Sequence, residues 1–147
     1  MFKVTKYQPV EIPIPNGFTG TEITFPNQPS LYNKLIKAIE VFADTAMPYS
    51  PLSLQPSAAA ADCVKTFIEF FDGSNQRVNR VPFVALNRAQ DSATTPFVRE
   101  VYKCNDWQIS WDKCKLIFAQ APGTTGVVYT IGVYYEDMPP NYVRPIQ

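Results

Sequence analysis

The segment at residues 123–137 limits the folds open to this chain more than any other stretch. It has the sequence GTTGVVYTIGVYYED, in which apolar or β-branched residues occupy both alternating sets of positions. In a strand, Tyr129 and Ile131 would face one side and Val128 and Thr130 the other, because side chains alternate with a period of two. Val, Ile, Thr, Tyr and Gly are poor helix formers. The segment therefore predicts a central strand that is covered on both faces.

The rest of the chain predicts shorter strands separated by turns. The candidate strands lie at residues 22–25, 34–43, 63–71, 77–86, 97–104, 107–111 and 115–119. The sequence has 14 prolines and only 6 glycines, which favours short strands joined by proline-broken loops. A length of 147 residues suggests one domain. There is no strand–helix–strand alternation, so we predict an all-β domain of about eight strands, built as a sandwich or a barrel.

Two of these segments, within residues 31–46 and 60–71, also have the spacing of a helix. Residues 39–42, with the sequence IEVF, suit a strand equally well. The sequence DGSN at residues 72–75 is a strong turn signal and lacks the order of a calcium-binding loop. A hairpin at this turn would explain the segments on either side of it, so we prefer a strand in both ambiguous segments.

Prolines set the two ends of the chain apart from its middle. Pro9 and Pro13 alternate with apolar residues, and proline cannot support a hydrogen-bonded ladder on both sides of a strand. Residues 1–20 are therefore expected to form an extended N-terminal arm or an edge strand. The predicted organisation is this arm, a β-sandwich over residues 21–137 and a proline-rich tail over residues 138–147. The arm packs either across its own domain or on a neighbouring subunit.

The absence of histidine is the most informative count for function. With no histidine in the sequence, Ser-His-Asp triads, Cys-His nucleophiles and histidine-ligated metal sites are all excluded. Cys63, Cys104 and Cys114 match no metal or redox spacing and are expected to be reduced and mostly buried. We expect no catalytic residue, no cofactor-binding residue and no metal ligand, and hence no enzyme.

Glycoside hydrolysis needs only two carboxylates about 5–9 Å apart across a cleft. The candidate carboxylates are Glu69, Glu100, Asp106, Asp112, Glu136 and Asp137. Most of them lie beside turns or strand ends, where charges are usually solvated. The 13 basic and 13 acidic residues cancel, so the chain has no electrostatic attraction for nucleic acid. Neither a secretory signal nor an apolar run long enough to cross a membrane is present, so we expect synthesis in a cytoplasm.

Five aromatic residues in the C-terminal half have three interpretations. They are Trp107, Trp111, Tyr129, Tyr134 and Tyr135. Aromatic residues on alternating strands usually belong to the core. They could instead form a platform on which sugars stack, or a subunit interface, where tyrosine and tryptophan are enriched.

Several stretches together resemble a known family. These are EITFP at residues 22–26, LIKAIEVF at 35–42, RVPFVALNR at 80–88, PFVREVY at 96–102 and GVYY at 132–135. In combination they resemble the single jelly-roll capsid proteins, penton or minor capsid proteins, of tailless icosahedral bacteriophages that contain a membrane. The resemblance implies an antiparallel, jelly-roll-like β-sandwich of eight strands that assembles with itself and with neighbouring coat proteins. It implies no catalytic residues.

The leading hypothesis is therefore a virion structural protein, made in the host cytoplasm and incorporated as a trimer or pentamer. It would lie near an internal membrane without inserting into it, and it would bind no nucleic acid. Proline-stiffened termini would reach neighbouring subunits at a low entropic cost. The expected partner contacts are Phe2, Tyr7, Val10 and Ile12 in the arm, and Tyr142, Val143 and Ile146 in the tail. Deletion of residues 1–15 would then abolish assembly and leave a soluble fold. The alternative hypothesis is a carbohydrate-binding or host-attachment module, such as the base of a spike or fibre.

Overall fold

A computed structural model describes residues 5–42, 65–74, 76–83, 88–90, 98–100, 102–123 and 125–140. The strands of this part of the chain are β1 (Lys6–Pro13), β2 (Glu22–Thr24), β3 (Lys34–Phe42), β4 (Thr66–Phe71), β5 (Arg77–Pro82), β6 (Arg88–Gln90), β7 (Val98–Glu100), β8 (Tyr102–Trp107), β9 (Lys115–Phe118) and β10 (Val128–Asp137). Its helical segments include two short 3-10 turns, at Pro29–Leu31 and Trp111–Lys113.

Eight of these strands form two antiparallel sheets of four. One sheet has the order β1-β10-β3-β8 and the other has the order β2-β9-β4-β5. Among the described strands, β6 and β7 pair only with each other and form a separate two-stranded ribbon. Apolar side chains from both sheets form one shared core. The predicted all-β fold and β-sandwich are therefore confirmed.

The strand pairings nest within one another. β4 pairs with β5, β3 with β8, β2 with β9 and β1 with β10, so the chain pairs as a single long hairpin. The pairs β10·β3 and β9·β4 then join these nested pairs side by side. Along the chain, successive strands alternate between the two sheets except at the β4–β5 hairpin and the β6–β7 ribbon.

β10 is the central strand that its sequence predicts. It lies between β1 and β3, and its inward side chains Tyr129, Ile131 and Val133 are fully buried. Thr130, on the opposite face, is also buried. Burying a large apolar side chain contributes about 1.5–3 kcal/mol, so this strand is a major source of stability. Both faces are covered over residues 129–133, as expected.

Both ambiguous segments are strands. Within residues 31–46 the strand is β3, and within residues 60–71 it is β4, whose side chains alternate strictly between buried and half-buried. β4 pairs with β5 across the predicted turn, which confirms the hairpin. Tertiary pairing therefore overrides the helical spacing that both segments also show.

One predicted strand, at residues 107–111, is wrong. β8 ends at Trp107, and Trp111 lies in a 3-10 turn. Asp106 has a φ of 50°, outside the extended range, so the strand geometry breaks just before Trp107. The backbone N–H of Ser110 donates to the carbonyl of Phe71 at 2.9 Å, which ties the segment to the end of β4 instead. The two tryptophans look like alternating residues of one strand because both are buried, but Trp107 belongs to β8 and Trp111 to the 3-10 turn.

The N-terminal segment is an edge strand of the sandwich. β1 pairs with β10 along its full length, and the backbone N–H of Ile14 donates to Val127 at 2.8 Å. Successive N–H groups of a strand point in opposite directions, so Pro9 and Pro13 stand where the N–H would face away from β10. Their missing donors therefore leave the ladder to β10 intact and remove donors from the free edge.

Candidate functional site

The predicted partner contacts divide into two groups. Phe2, Tyr142, Val143 and Ile146 lie outside the described residues, whereas Tyr7, Val10 and Ile12 lie in β1. Val10 and Ile12 are fully buried in the chain's own core. Neither is accessible to a partner in this fold, so we remove both from the expected contacts.

Tyr7 remains a surface residue, with 41% of its area exposed. Its ring makes an edge contact with Tyr134, with centroids 4.9 Å apart, and its hydroxyl lies 3.4 Å from Oε1 of the buried Glu40. This arrangement requires Gly132, because a Cβ there would meet the Tyr7 hydroxyl and approach Cγ of Glu40 to 2.9 Å. Tyr7 therefore lies flat on the outer face of the sheet.

The five aromatic residues do not form a common exposed platform. Trp107, Trp111 and Tyr129 are buried between the sheets, and Trp111 stacks on Phe25 with an interplanar angle of 17°. Tyr134 and Tyr135 are half-buried. The core interpretation is correct for the two tryptophans and for Tyr129, and a sugar platform made of these residues is excluded.

The candidate carboxylates contact cations or turns. Asp137 Oδ2 is 2.9 Å from Nζ of Lys6, and its Oδ1 is 2.5 Å from Nζ of Lys34. Nζ of Lys37 lies 2.5 Å from Oδ1 of Asp106 and 3.5 Å from Oε2 of Glu136. These two clusters join β1, β10, β3 and β8 at one end of their sheet.

The other candidate carboxylates lie elsewhere. Oε1 of Glu69 lies 3.5 Å from Nη1 of Arg80, and Asp112 accepts a hydrogen bond from the Ser110 hydroxyl at 2.8 Å. The side chain of Glu100 is outside the described part.

The Asp137 cluster predicts an acid-dependent stability. Hydrogen bonds from Lys34 and Lys6 lower the pKa of Asp137 from 3.8 to about 2. A carboxyl whose pKa is lower in the folded state stabilises the fold above pH 3.8, and this contribution disappears as the pH falls towards 2. In urea unfolding, the stability difference between wild type and Asp137→Asn should therefore vanish over that interval. Because both ion pairs of Asp137 lie at the surface, high salt should reduce this difference in stability. A difference independent of pH would contradict the prediction.

Two of the cysteines are buried, free thiols, as predicted. Burial raises the pKa of both Cys104 and Cys114 to about 12, so neither forms a reactive thiolate at neutral pH. Cys63 lies outside the described residues. Within the described ranges, no group of three or more metal-ligating side chains occurs. No helix there is long and apolar enough to span a membrane.

Several loops meet around one surface cavity at an end of the sandwich. They are the β2–β3 connection, the β4–β5 turn, the β8–β9 connection and the residue that follows β10. The cavity has a volume of about 180 Å³ and is lined by Tyr32, Asn33, Lys34, Gly73, Gln108, Ile109, Ser110 and Met138. We take it as the candidate functional site.

Hydrogen bonds fix the cavity walls to the sandwich. Asp72 is buried, and its Oδ1 accepts from the Ser74 N–H at 2.9 Å, from the Ser74 hydroxyl at 2.8 Å and from the Gln76 N–H at 3.0 Å. Nζ of Lys113 donates to the carbonyl of Gly73 at 3.1 Å. The β4–β5 turn and the β8–β9 connection are therefore held together beside the cavity.

Replacing Asp72 with alanine should destabilise the protein by about 1–3 kcal/mol, because three donors lose their common acceptor. Asp72→Asn keeps the Oδ1 acceptor and should lose much less stability. Urea unfolding followed by far-UV circular dichroism measures both variants. Equal losses in the two variants would show that the hydrogen bonds to Oδ1 do not hold the turn.

No local sequence pattern marks the residues that line the cavity. Asn33 has a φ of 56°, a left-handed conformation in which asparagine is enriched. An asparagine at this position is therefore a weak local sign of a left-handed backbone. Tyr32 and Gln108 carry no signal of their own. They come together only because the nested pairing brings distant connections to the same end of the sandwich.

Comparison of the chain with protein-family models, with curated proteins and with solved structures found no match. The fold and the surfaces described above are therefore the basis for proposing a function.

Proposed function

We propose that this chain is a structural protein of a virion, a capsid or penton component that assembles with copies of itself and with neighbouring coat proteins. Its sandwich would be a single jelly roll. Its activity would be assembly rather than catalysis, in keeping with a sequence that contains no histidine.

The order of the strands is the observation that carries this proposal. A jelly roll has eight strands in two sheets, and the architecture is common in viral capsid and lectin domains. The strands pair as expected when one long hairpin is rolled into two sheets. The nested pairs are β1·β10, β2·β9, β3·β8 and β4·β5, and they are joined through β10·β3 and β9·β4. This pattern supports the resemblance to capsid proteins independently of any sequence match.

The sheet edges favour assembly through faces and termini over strand addition. Pro9 and Pro13 remove donors from the free edge of β1, and β2 at an edge of the other sheet has only three residues. Both features limit uncontrolled pairing with a second copy. Tyr7, Phe2, Tyr142, Val143 and Ile146 remain the proposed contact residues. Tyrosine and phenylalanine are enriched in interface cores.

The mass of the purified protein in solution tests the proposal. Light scattering and native mass spectrometry, from low to high micromolar concentration, should show a closed oligomer, a trimer or a pentamer. Deletion of residues 141–147 removes the proposed tail contacts and leaves the ten strands, because β10 ends at Asp137. This truncated chain should shift towards the monomer.

Gln120→Ala serves as the control, since Gln120 is an exposed residue beyond the end of β9 and lies outside the proposed contacts. It should keep the wild-type mass. A wild-type chain that stays monomeric at every concentration would overturn the proposal of self-assembly. A tail deletion that leaves the oligomer unchanged would overturn the assignment of the tail contacts.

A further inference from the structure

We propose that the cavity at the loop end of the sandwich binds a single neutral sugar ring, such as the terminal residue of a glycan. This inference does not depend on a role in a capsid. A sugar site would equally suit a virion protein that touches a host surface and a free carbohydrate-binding module.

Tyr32 supplies an apolar wall for the cavity. It has 55% of its area exposed, more than any other large hydrophobic side chain in the described ranges. It follows the 3-10 turn Pro29–Leu31 and is anchored by its N–H, which donates to the carbonyl of Pro29 at 3.2 Å. A tyrosine offers a flat ring for the C–H face of a sugar and a hydroxyl for hydrogen bonding. A partly exposed ring that lines a cavity suits a ligand that stacks on an aromatic face.

Two amide side chains supply the polar groups. Asn33 and Gln108 line the cavity, and each carries donors and an acceptor. Neutral groups that both donate and accept match sugar hydroxyls, which do the same. Asn33 also has a left-handed backbone conformation, with a φ of 56°, which asparagine tolerates better than most residues.

The charge and size of the cavity narrow the class of ligand. Among the described residues that line the cavity, Lys34 is the one with a charged side chain, and its ammonium lies 2.5 Å from Oδ1 of Asp137. Asp137 is shared with Lys6, so these three groups keep one net positive charge beside the cavity, and binding of an anion is the alternative that the phosphate measurement below tests. Pockets for drug-sized ligands have about 300–1,000 Å³. A cavity of about 180 Å³ is smaller and fits one ring rather than a longer chain.

Saturation-transfer NMR with the methyl glycosides of glucose, galactose, mannose and N-acetylglucosamine tests the site on the full chain. At least one glycoside should receive saturation and should shift the side-chain amide signals of Asn33 and Gln108. With so few contacts, a dissociation constant of about 1 mM is expected. Tyr32→Ala should weaken binding about tenfold or more through loss of the stacking surface. Tyr32→Phe keeps the ring and should retain most of the affinity.

Gln108→Ala should also weaken binding, whereas Gln120→Ala should not. Gln120 is a matched control, since it is an amide side chain beyond the opposite end of β9. Amide spectra of each variant verify that the fold is kept. The proposal fails if none of the four glycosides shifts the cavity signals, or if Tyr32→Ala binds as the wild type does. It also fails if inorganic phosphate shifts those signals and the glycosides do not, because the site would then be an anion site. None of these outcomes depends on the oligomeric mass that tests assembly.

Discussion

Deletion of residues 1–13 should unfold the protein. The deletion removes β1, whose side chains Val10 and Ile12 are fully buried and which pairs with β10 over eight residues. The two side chains alone contribute about 3–6 kcal/mol, against a total stability of about 5–15 kcal/mol for an ordinary domain. The exposed edge of β10, rich in Val, Ile and Tyr, should then promote aggregation. The sequence-based expectation that deletion of residues 1–15 leaves a soluble fold is therefore replaced by its opposite.

Near-UV circular dichroism, urea unfolding and light scattering measure this result. The matched control is deletion of residues 1–4, which precede β1 and should leave a cooperative transition. Ile12→Ala in the full chain provides a milder version, with an expected loss of about 2–5 kcal/mol from removing a buried side chain. A chain without residues 1–13 that keeps its native spectrum and a cooperative transition would show that β1 is dispensable.

The sequence predicted those parts of the fold for which local pattern and tertiary role agree. In β10, apolar residues on both faces require a strand covered on both sides, and the structure places it between two others. In β4, residues 66–71 alternate between the core and the outer face, and the turn at Asp72 fixes their partner as β5. Periodicity and turn chemistry act over a few residues, so a single chain shows them directly.

The predictions failed where an alternating sequence pattern did not show which element a residue belongs to or which face of that element is buried. Trp107 and Trp111 alternate as though on one strand, yet one ends β8 and the other lies in a turn packed on Phe70. The prolines of β1 predicted an edge strand correctly, but they could not show that Val10 and Ile12 point into the chain's own core. Only the register with β10 fixes which face of β1 is buried.

The candidate site could not be predicted for a related reason. Tyr32 and Gln108 are far apart in sequence and belong to different connections, so no spacing rule joins them. Their proximity follows from the nesting of strand pairs, which brings connections from distant parts of the chain to one end of the sandwich. A proposed function based on the fold and a proposed ligand based on the cavity therefore have separate evidence, and one can be correct without the other.

Phe70→Ala should cause the largest loss of stability of any single substitution considered for this protein, about 3–5 kcal/mol. Phe70 is fully buried, and its ring centroid lies 5.3 Å from that of Trp107 and 6.2 Å from that of Trp111. Removing the ring leaves a cavity where the two tryptophans meet β4, and the surrounding strands can relax only partly. Urea unfolding followed by tryptophan fluorescence and far-UV circular dichroism should show the loss with both probes.

Phe67→Ala is the matched control, because it removes the same side chain from the other face of the same strand. Phe67 is half-buried, and the Arg80 guanidinium lies 5.0 Å from its ring centroid. Such a cation–π contact at a partly exposed site is worth about 0.5–1 kcal/mol, so the loss should be much smaller than for Phe70. If Phe70→Ala is too unstable to measure, Phe70→Leu should fall between the two, since it refills part of the cavity. Equal losses at positions 67 and 70 would mean that the two faces of β4 are buried alike. The core would then not lie between the two sheets as the structure places it.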